Sequence, residues 1–286
     1  MSRPITVVDV FAERAFAGNP VAVVHDAHSL DEAAMLAITR WFDLSETTFL
    51  LPPSAPEADY RARIFTPFGE LPFAGHPTLG TCRAWLQAGG QPRTPGEVVQ
   101  ECAAGLVTVR VDGAALAFAA PPLLRSGPVD EATVAELAGV LRLPREAIID
   151  AAWADNGPGW VALLLASAEA VLALEPARSH PRPVFVGVVG PYRAAGEAAY
   201  EVRTFFSDQH GTLREDPVTG SFNASAAQWM LATGRVAAPF TARQGRRVGR
   251  DGRVQVEVDA SGGVWVGGHA RVIVAGAMMV GAEAIG

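Results

Sequence analysis

The sequence predicts an α+β protein built from two similar halves, and three observations carry that reading. Its 286 residues suffice for two separate cores at about 150 residues each. Each half runs through short strands into one helix, over residues 77–88 and 217–233, rather than alternating strand and helix throughout. The halves are also alike. With Tyr60 set over Tyr200, an ungapped offset of 140 brings Arg63 onto Arg203, Phe65 onto Phe205, Pro77 onto Pro217, Gly80 onto Gly220 and Ala84 onto Ala224, six identities in 25 positions. Thr81 meets Ser221 in the same frame.

In order, residues 5–10 and 21–24 read as strands on either side of Gly18-Asn19-Pro20, a turn signal because Gly takes positive φ and Pro presets it. A helix follows over 29–41, with Ser29 as cap and Glu32 three residues on. Residues 45–51 and 60–66 read as strands, the second by strict alternation. The helix over 77–88 stops at Gly89-Gly90. Residues 98–111 and 115–119 form a hairpin about Asp112-Gly113. Pro121-Pro122 marks the boundary between an N-terminal α/β repeat domain, 1–120, and a C-terminal one, 121–286, with the last strand free to return to the first domain. The second half offers helices over 131–141 and 168–174, and strands over 148–153, 159–165, 184–189 and 200–206. Its main helix, 217–233, ends at Gly234, and strands follow over 254–258, 264–266 and 270–275.

Composition narrows the chemistry. All 23 basic residues are Arg, so a pyridoxal Schiff base, a lysine nucleophile and a Walker A loop are excluded. Thirty acidic residues leave a net charge of −7, which argues against nucleic acid or an anionic membrane as the main partner. The N-terminal apolar run is too short for a signal peptide, and no apolar stretch approaches a bilayer span. A cytoplasmic protein is expected. Cys82 and Cys102 read as small core thiols. His25-Asp26-Ala27-His28 lacks a third ligand, so no metal site is expected. No Gly-x-Gly-x-x-Gly follows a strand, and the Arg246–Arg253 run reads as a solvated loop.

Each main helix opens on a polar residue followed by Pro: His76-Pro77 and Asp216-Pro217. Pro suits the first helical turn, and the residue before it is pushed out of helical φ/ψ and can cap. Plain capping is one reading of His76 and Asp216. The other is functional: two helix N-termini with unpaired N–H groups would suit a carboxylate if the halves face each other.

Several segments, taken together and in order, resemble the phenazine-biosynthesis PhzF-like family. They are Gly18-Asn19-Pro20, Ser45-Glu46-Thr47-Thr48-Phe49, Phe65-Thr66-Pro67, the run from Glu70 to Gly80, Glu215-Asp216-Pro217-Val218-Thr219-Gly220-Ser221, and Gln244-Gly245…Gly249-Arg250. The resemblance spans essentially the whole chain. It implies a diaminopimelate epimerase-like fold: two pseudo-symmetric domains, each a curled sheet around a central helix, with the site in the cleft between them. It implies a homodimer and a cofactor-free isomerase, the family's named activity being on trans-2,3-dihydro-3-hydroxyanthranilate. Carried over by residue, it makes Glu46 the proton carrier and His76, Asp216 and Ser221 its partners. Gly18, Asn19, Ser45, Gly75 and Gly220 would line the substrate, a small carboxylic acid.

One carboxylate can remove a proton from a carbon and return it to another on the same face, acting first as base and then as acid. Two-thiol epimerisation is disfavoured, because Ala74 and Asp216 stand beside the helix starts where that chemistry needs cysteines. Two other readings stay open: a non-catalytic small-acid-binding protein, and a thiol-independent epimerase with Asp216 as second base. Phe222, where many relatives carry a small residue, either narrows the pocket or packs into the core.

Overall fold

The computed structural model describes residues 2–193, 196 and 198–279. The chain divides into two compact units. Residues up to Ala119 and those from Gly267 onward form the first, and Ala120–Val266 the second.

In the first unit β1 (Ser2–Val10) pairs antiparallel with β2 (Asn19–Val24) on one side and with the chain's last strand on the other. Helix α1 (Glu32–Phe42) leads to β3 (Thr47–Leu51), parallel to β2. Next come β4 (Tyr60–Thr66), β5 (Gly69–Leu71), α2 (Gly75–Gln87), β6 (Glu97–Cys102), β7 (Gly105–Asp112) and β8 (Ala115–Ala119). Alternation puts Phe49, Phe65, Ala22 and Val24 on the face that α1 covers with Ala34 and Met35. Helix α2 is different. It is buried along most of its length and packs on β1, β2, β3 and β8. Gly80 permits this approach, since a Cβ there would lie 2.2 Å from Val21 Cγ1.

The second unit holds β9 (Arg125–Pro128), α3 (Glu131–Leu141), β10 (Asp150–Asp155), β11 (Val161–Leu164), α4 (Ala168–Leu172), β12 (Phe185–Pro191) and β13 (Tyr200–Ser207). It continues with β14 (Leu213–Asp216), α5 (Gly220–Ala232), β15 (Phe240–Gln244) and β16 (Gly252–Val258). Strand β17 (Val264–Met279) starts here and runs on into the first unit. Helix α5 is buried like α2.

The pairing pattern of one unit repeats in the other. In the first, β2 lies parallel to β3, β3 antiparallel to β4, and β4 antiparallel to β5 but parallel to β6. In the second, β11, β12, β13, β14 and β15 repeat these relations in the same order. The shared residues have matching duties. Arg63 makes a two-pronged bond to Glu70 at 2.8 and 2.6 Å, and Arg203 makes the same bond to Glu215 at 2.9 and 2.7 Å. Each guanidinium also lies 5.0 Å from the ring of its neighbour, Phe65 or Phe205.

Several local expectations are corrected. Asp31, not Ser29, caps α1, because residues 27–29 form a separate 3₁₀ turn. Residues 98–111 are two strands, split by a tight turn with Gly105 at φ 108°. β17 is continuous where two strands were expected, and β5, β9, β14 and β15 had no prediction. The offset of 140 fits β4 and β13 but not the helices, which begin at Gly75 and Gly220, an offset of 145. The longer connection in the second unit is the turn that Asp208 organises through the His210 and Thr212 N–H groups. The helical counterpart of His76 is therefore Ser221, not Asp216. Nor does Pro open either helix. Pro77 is the third residue of α2, and Pro217 precedes α5.

Candidate active site

The first unit brings Glu46 and His76 together. Glu46 immediately precedes β3, and His76 is the second residue of α2. His76 Nε2 lies 3.5 Å from Glu46 Oε2, with side-chain exposures of 5% and 16%. The ring also bonds the Pro20 carbonyl. Since Nε2 is turned to Glu46, Nδ1 serves that carbonyl, which assigns the Nδ1–H tautomer. Burial pushes the imidazole down to about 3, against the smaller opposing effect of the Pro20 bond. His76 is thus neutral at ordinary pH, and its Nε2 offers a lone pair to Glu46.

The neighbouring glycines are set by close approach. A Cβ on Gly18 would lie 2.0 Å from the Val10 carbonyl oxygen, and the Gly18 N–H donates to Asp9 Oδ1 at 3.0 Å. A Cβ on Gly75 would lie 2.5 Å from the Phe118 ring. Asn19 is buried at the start of β2, paired with Val10, and Ser45 is half-buried beside Glu46.

Asp216 and Ser221 lie in the second unit. Asp216 ends β14, and its Oδ2 accepts from Thr219 Oγ1 at 2.6 Å. It does not cap α5. The Thr219 N–H goes instead to Gln244 Oε1 at 3.0 Å. Gln244 is fully buried. Its Oε1 accepts a second bond from Asn223 at 2.7 Å, and its Nε2 approaches Thr204 Oγ1, Thr219 Oγ1 and the Asp216 carbonyl at 3.0–3.1 Å. One side chain thus fixes the approach to α5, with both ends of its amide used.

Ser221 Oγ accepts from the Trp160 indole N–H at 3.1 Å, and its carbonyl accepts from Asn156 at 2.9 Å. Phe222 is in the core: it is fully buried, edge-on to Trp160, and pressed against Gly187.

A contrast among helix starts bears on the chemistry. Asp31, Asp130 and Ser167 each cap their helix with a side-chain bond. The N-cap residues of α2 and α5, Ala74 and Thr219, make no such bond with their own side chains. Both central helices still carry the positive dipole end of any helix start.

The remaining candidates have local duties. His25 bonds Thr6 Oγ1 at 2.9 Å, and burial lowers its pKa. No cluster of three or more metal-ligating side chains occurs among the described residues. Arg246 and Arg247 meet Glu201 and Glu175, while Arg243 and Arg253 meet Asp251. Cys82 and Cys102 are buried and unbridged, with the Cys82 thiol pushed up by burial to about 12. No helix among the described residues is long and apolar enough to cross a membrane. The sequence reading missed Trp160, Asn156 and Thr219 and gave Gln244 no role. No spacing rule joins residues 61 positions apart, as Trp160 and Ser221 are.

Comparison with known proteins gives a consistent picture. The phenazine biosynthesis-like protein family, PhzC-PhzF, matches residues 8–280. The chain is 34% identical to antisense-enhancing sequence 1 of Schizosaccharomyces pombe, over 94% of this chain and 96% of that one. It is 33% identical to an uncharacterized isomerase of Mesorhizobium japonicum, over 98% and 99%. Over 27% of its length it is 51% identical to trans-2,3-dihydro-3-hydroxyanthranilate isomerase of Pseudomonas aeruginosa, covering 28% of that protein. Among solved structures, a predicted epimerase from Pseudomonas aeruginosa superposes with a TM-score of 0.77 at 31% identity, over 98% of this chain and all of that one. A probable proline racemase from Agrobacterium radiobacter shares the fold, with a TM-score of 0.58 at 14% identity, over 98% and 93%.

Proposed function

The chain belongs to the phenazine biosynthesis-like PhzC-PhzF family and is an isomerase with a diaminopimelate epimerase-like fold; from that premise we propose that it moves a proton between two carbons of a small unsaturated carboxylic acid, without a cofactor, using Glu46 as carrier. The observation that carries this reading is the Glu46–His76 contact at 3.5 Å, largely closed to solvent.

Glu46 takes the proton from one carbon as the carbon–carbon double bond shifts, then delivers it to the far carbon on the same face. One C–H bond breaks and one forms, with no net redox change. Between these events Glu46 is a neutral acid, and the lone pair of His76 Nε2 accepts its O–H. Because His76 stays neutral, it stabilises the protonated carrier without taking the proton outright. The same reading gives Asp216, Ser221 and the backbone at Gly75 and Gly220 to the substrate. What supports this locally is that Ala74 and Thr219, at the N-caps of the two central helices, make no capping bond with their own side chains, and a helix start is suited to a carboxylate. The working form is taken to be a homodimer of this chain, which sedimentation checks.

The test is turnover in D₂O, beginning with trans-2,3-dihydro-3-hydroxyanthranilate, the compound named for the Pseudomonas relative, and extending to other small unsaturated acids. One deuterium at the carbon that gains the proton, with a migrated double bond, is the expected result. Stereoinversion without migration identifies an epimerase, and binding without exchange identifies a non-catalytic acid binder. Full turnover by Glu46→Gln ends the proposal.

A further inference from the structure

We propose that Trp160 is a positioning residue that fixes the Ser221 hydroxyl as a hydrogen-bond donor, and so selects a carboxylate ligand at the start of α5. The proposal rests on the reading above, in which Ser221 meets the substrate.

An indole N–H only donates. At 3.1 Å from Trp160 Nε1, Ser221 Oγ is therefore the acceptor, and its own proton must point elsewhere. Within this chain, hydroxyls on helices usually spend that proton on a helix carbonyl. Thr39 donates to Met35, Thr81 to Pro77, Ser225 to Phe222 and Thr233 to Trp229. Ser221 is the second residue of α5, so no helical carbonyl precedes it by a turn. Its O–H is left to donate outward at the start of α5, where the N-cap residue Thr219 makes no capping bond with its own side chain. A donating hydroxyl and donating amides together suit an anion and disfavour a cation or a second donor.

The support is rigid. Trp160 is 4% exposed. Its ring is held edge-on by Phe222 at 5.6 Å and Phe185 at 5.7 Å between centroids. Asn156, four residues earlier, holds the Ser221 carbonyl at 2.9 Å. Between them the Asp155 carboxylate binds the Gly157 and Gly159 N–H groups at 2.8 and 2.6 Å. The loop joining β10 to β11 thus grips Ser221 by both its side chain and its backbone.

The test measures anthranilate binding to the full chain, its Trp160→Phe and Ser221→Ala variants, and the double variant. Trp160→Phe keeps an aromatic ring in the slot but removes the N–H. It should weaken anthranilate by about two- to tenfold, the worth of one hydrogen bond. Ser221→Ala should weaken it at least as much, and the double variant should be no worse than Ser221→Ala alone. Unchanged affinity in Trp160→Phe, or a loss that persists in full when Ser221 is already Ala, overturns the positioning role. Unchanged affinity in Ser221→Ala instead overturns the reading beneath it. If Trp160→Phe does not fold, benzothienylalanine at position 160 preserves the shape and removes only the donor.

Discussion

His76 holds its Nε2 3.5 Å from Oε2 of Glu46, both side chains being largely shut off from water. An imidazole whose Nδ1–H is committed to the Pro20 carbonyl meets a carboxyl with a lone pair, not a proton. Two acceptors face each other whenever Glu46 is ionised. Nε2 can therefore accept from the carrier once it holds a proton, and two measurements follow.

The first is the response to Glu46→Gln. Removing a positioned acid–base group should slow solvent exchange by about 10²- to 10⁴-fold. A Gln amide can turn its N–H₂ toward His76 Nε2 and donate a hydrogen bond to it. The variant should therefore be as stable as the native chain or more stable, by about 1 kcal/mol. Urea unfolding alongside the exchange assay checks both. A variant that loses activity only because it unfolds would contradict the expected stability.

The second concerns pH. The native imidazole stays neutral down to about 3, while the unfolded one titrates near its ordinary 6.5. Between these values the unfolded chain holds the extra proton, so stability rises with pH across the window and falls on acidification from 6.5 toward 3. Replacing His76 by Asn removes this term. Urea midpoints followed from pH 7 down to pH 4 should fall more steeply for the native chain than for His76→Asn. Parallel curves would show that His76 is not buried neutral.

Much of this was legible in the sequence, for identifiable reasons. Period-two alternation gave β4 its limits, and Arg63 with Phe65 marked the repeat because the pair has the same duty as Arg203 with Phe205. The helix register was not legible. An ungapped offset cannot see the longer turn around Asp208, so His76 was set against Asp216 when its counterpart is Ser221. The partner of the Thr219 N–H was not legible either, because Gln244 stands far along the chain. Contacts that depend on tertiary approach, such as Trp160 with Ser221, leave no periodic trace.

The repeated arginines should differ sharply in energetic weight. Arg203 is 4% exposed and also donates to the Val171 and Leu174 carbonyls, beside the end of α4. Arg63 is 21% exposed, and its second carboxylate, Glu32, is 72% exposed. Arg203→Met strands the half-buried Glu215 and leaves the Val171 and Leu174 carbonyls unpaired, and should cost about 3 kcal/mol. Arg63→Met, in reach of water, should cost about 1 kcal/mol or less. Thermal and urea unfolding of the two variants should separate them by well over the error of either method. Equal losses would mean that burial does not set the value of this pair.

Phe222 and Gly187 are matched to each other. A Cβ on Gly187 would lie 2.1 Å from the Phe222 ring, a distance no side chain tolerates, and the ring is fully buried with no room to retreat. Gly187→Ala should therefore destabilise by about 3 kcal/mol. Phe222→Leu opens a space and should cost about 2 kcal/mol alone. Combined, the new methyl occupies part of the space the ring vacates, and the loss should be smaller than the sum by at least about 1 kcal/mol. The same truncation loosens the wall that holds Trp160, so Phe222→Leu should weaken acid binding even where the fold is intact. Strict additivity in the unfolding free energies would show that the ring does not occupy the space over Gly187. It would also remove the reason for a large side chain at a position where a small one would leave the first turn of α5 less firmly supported.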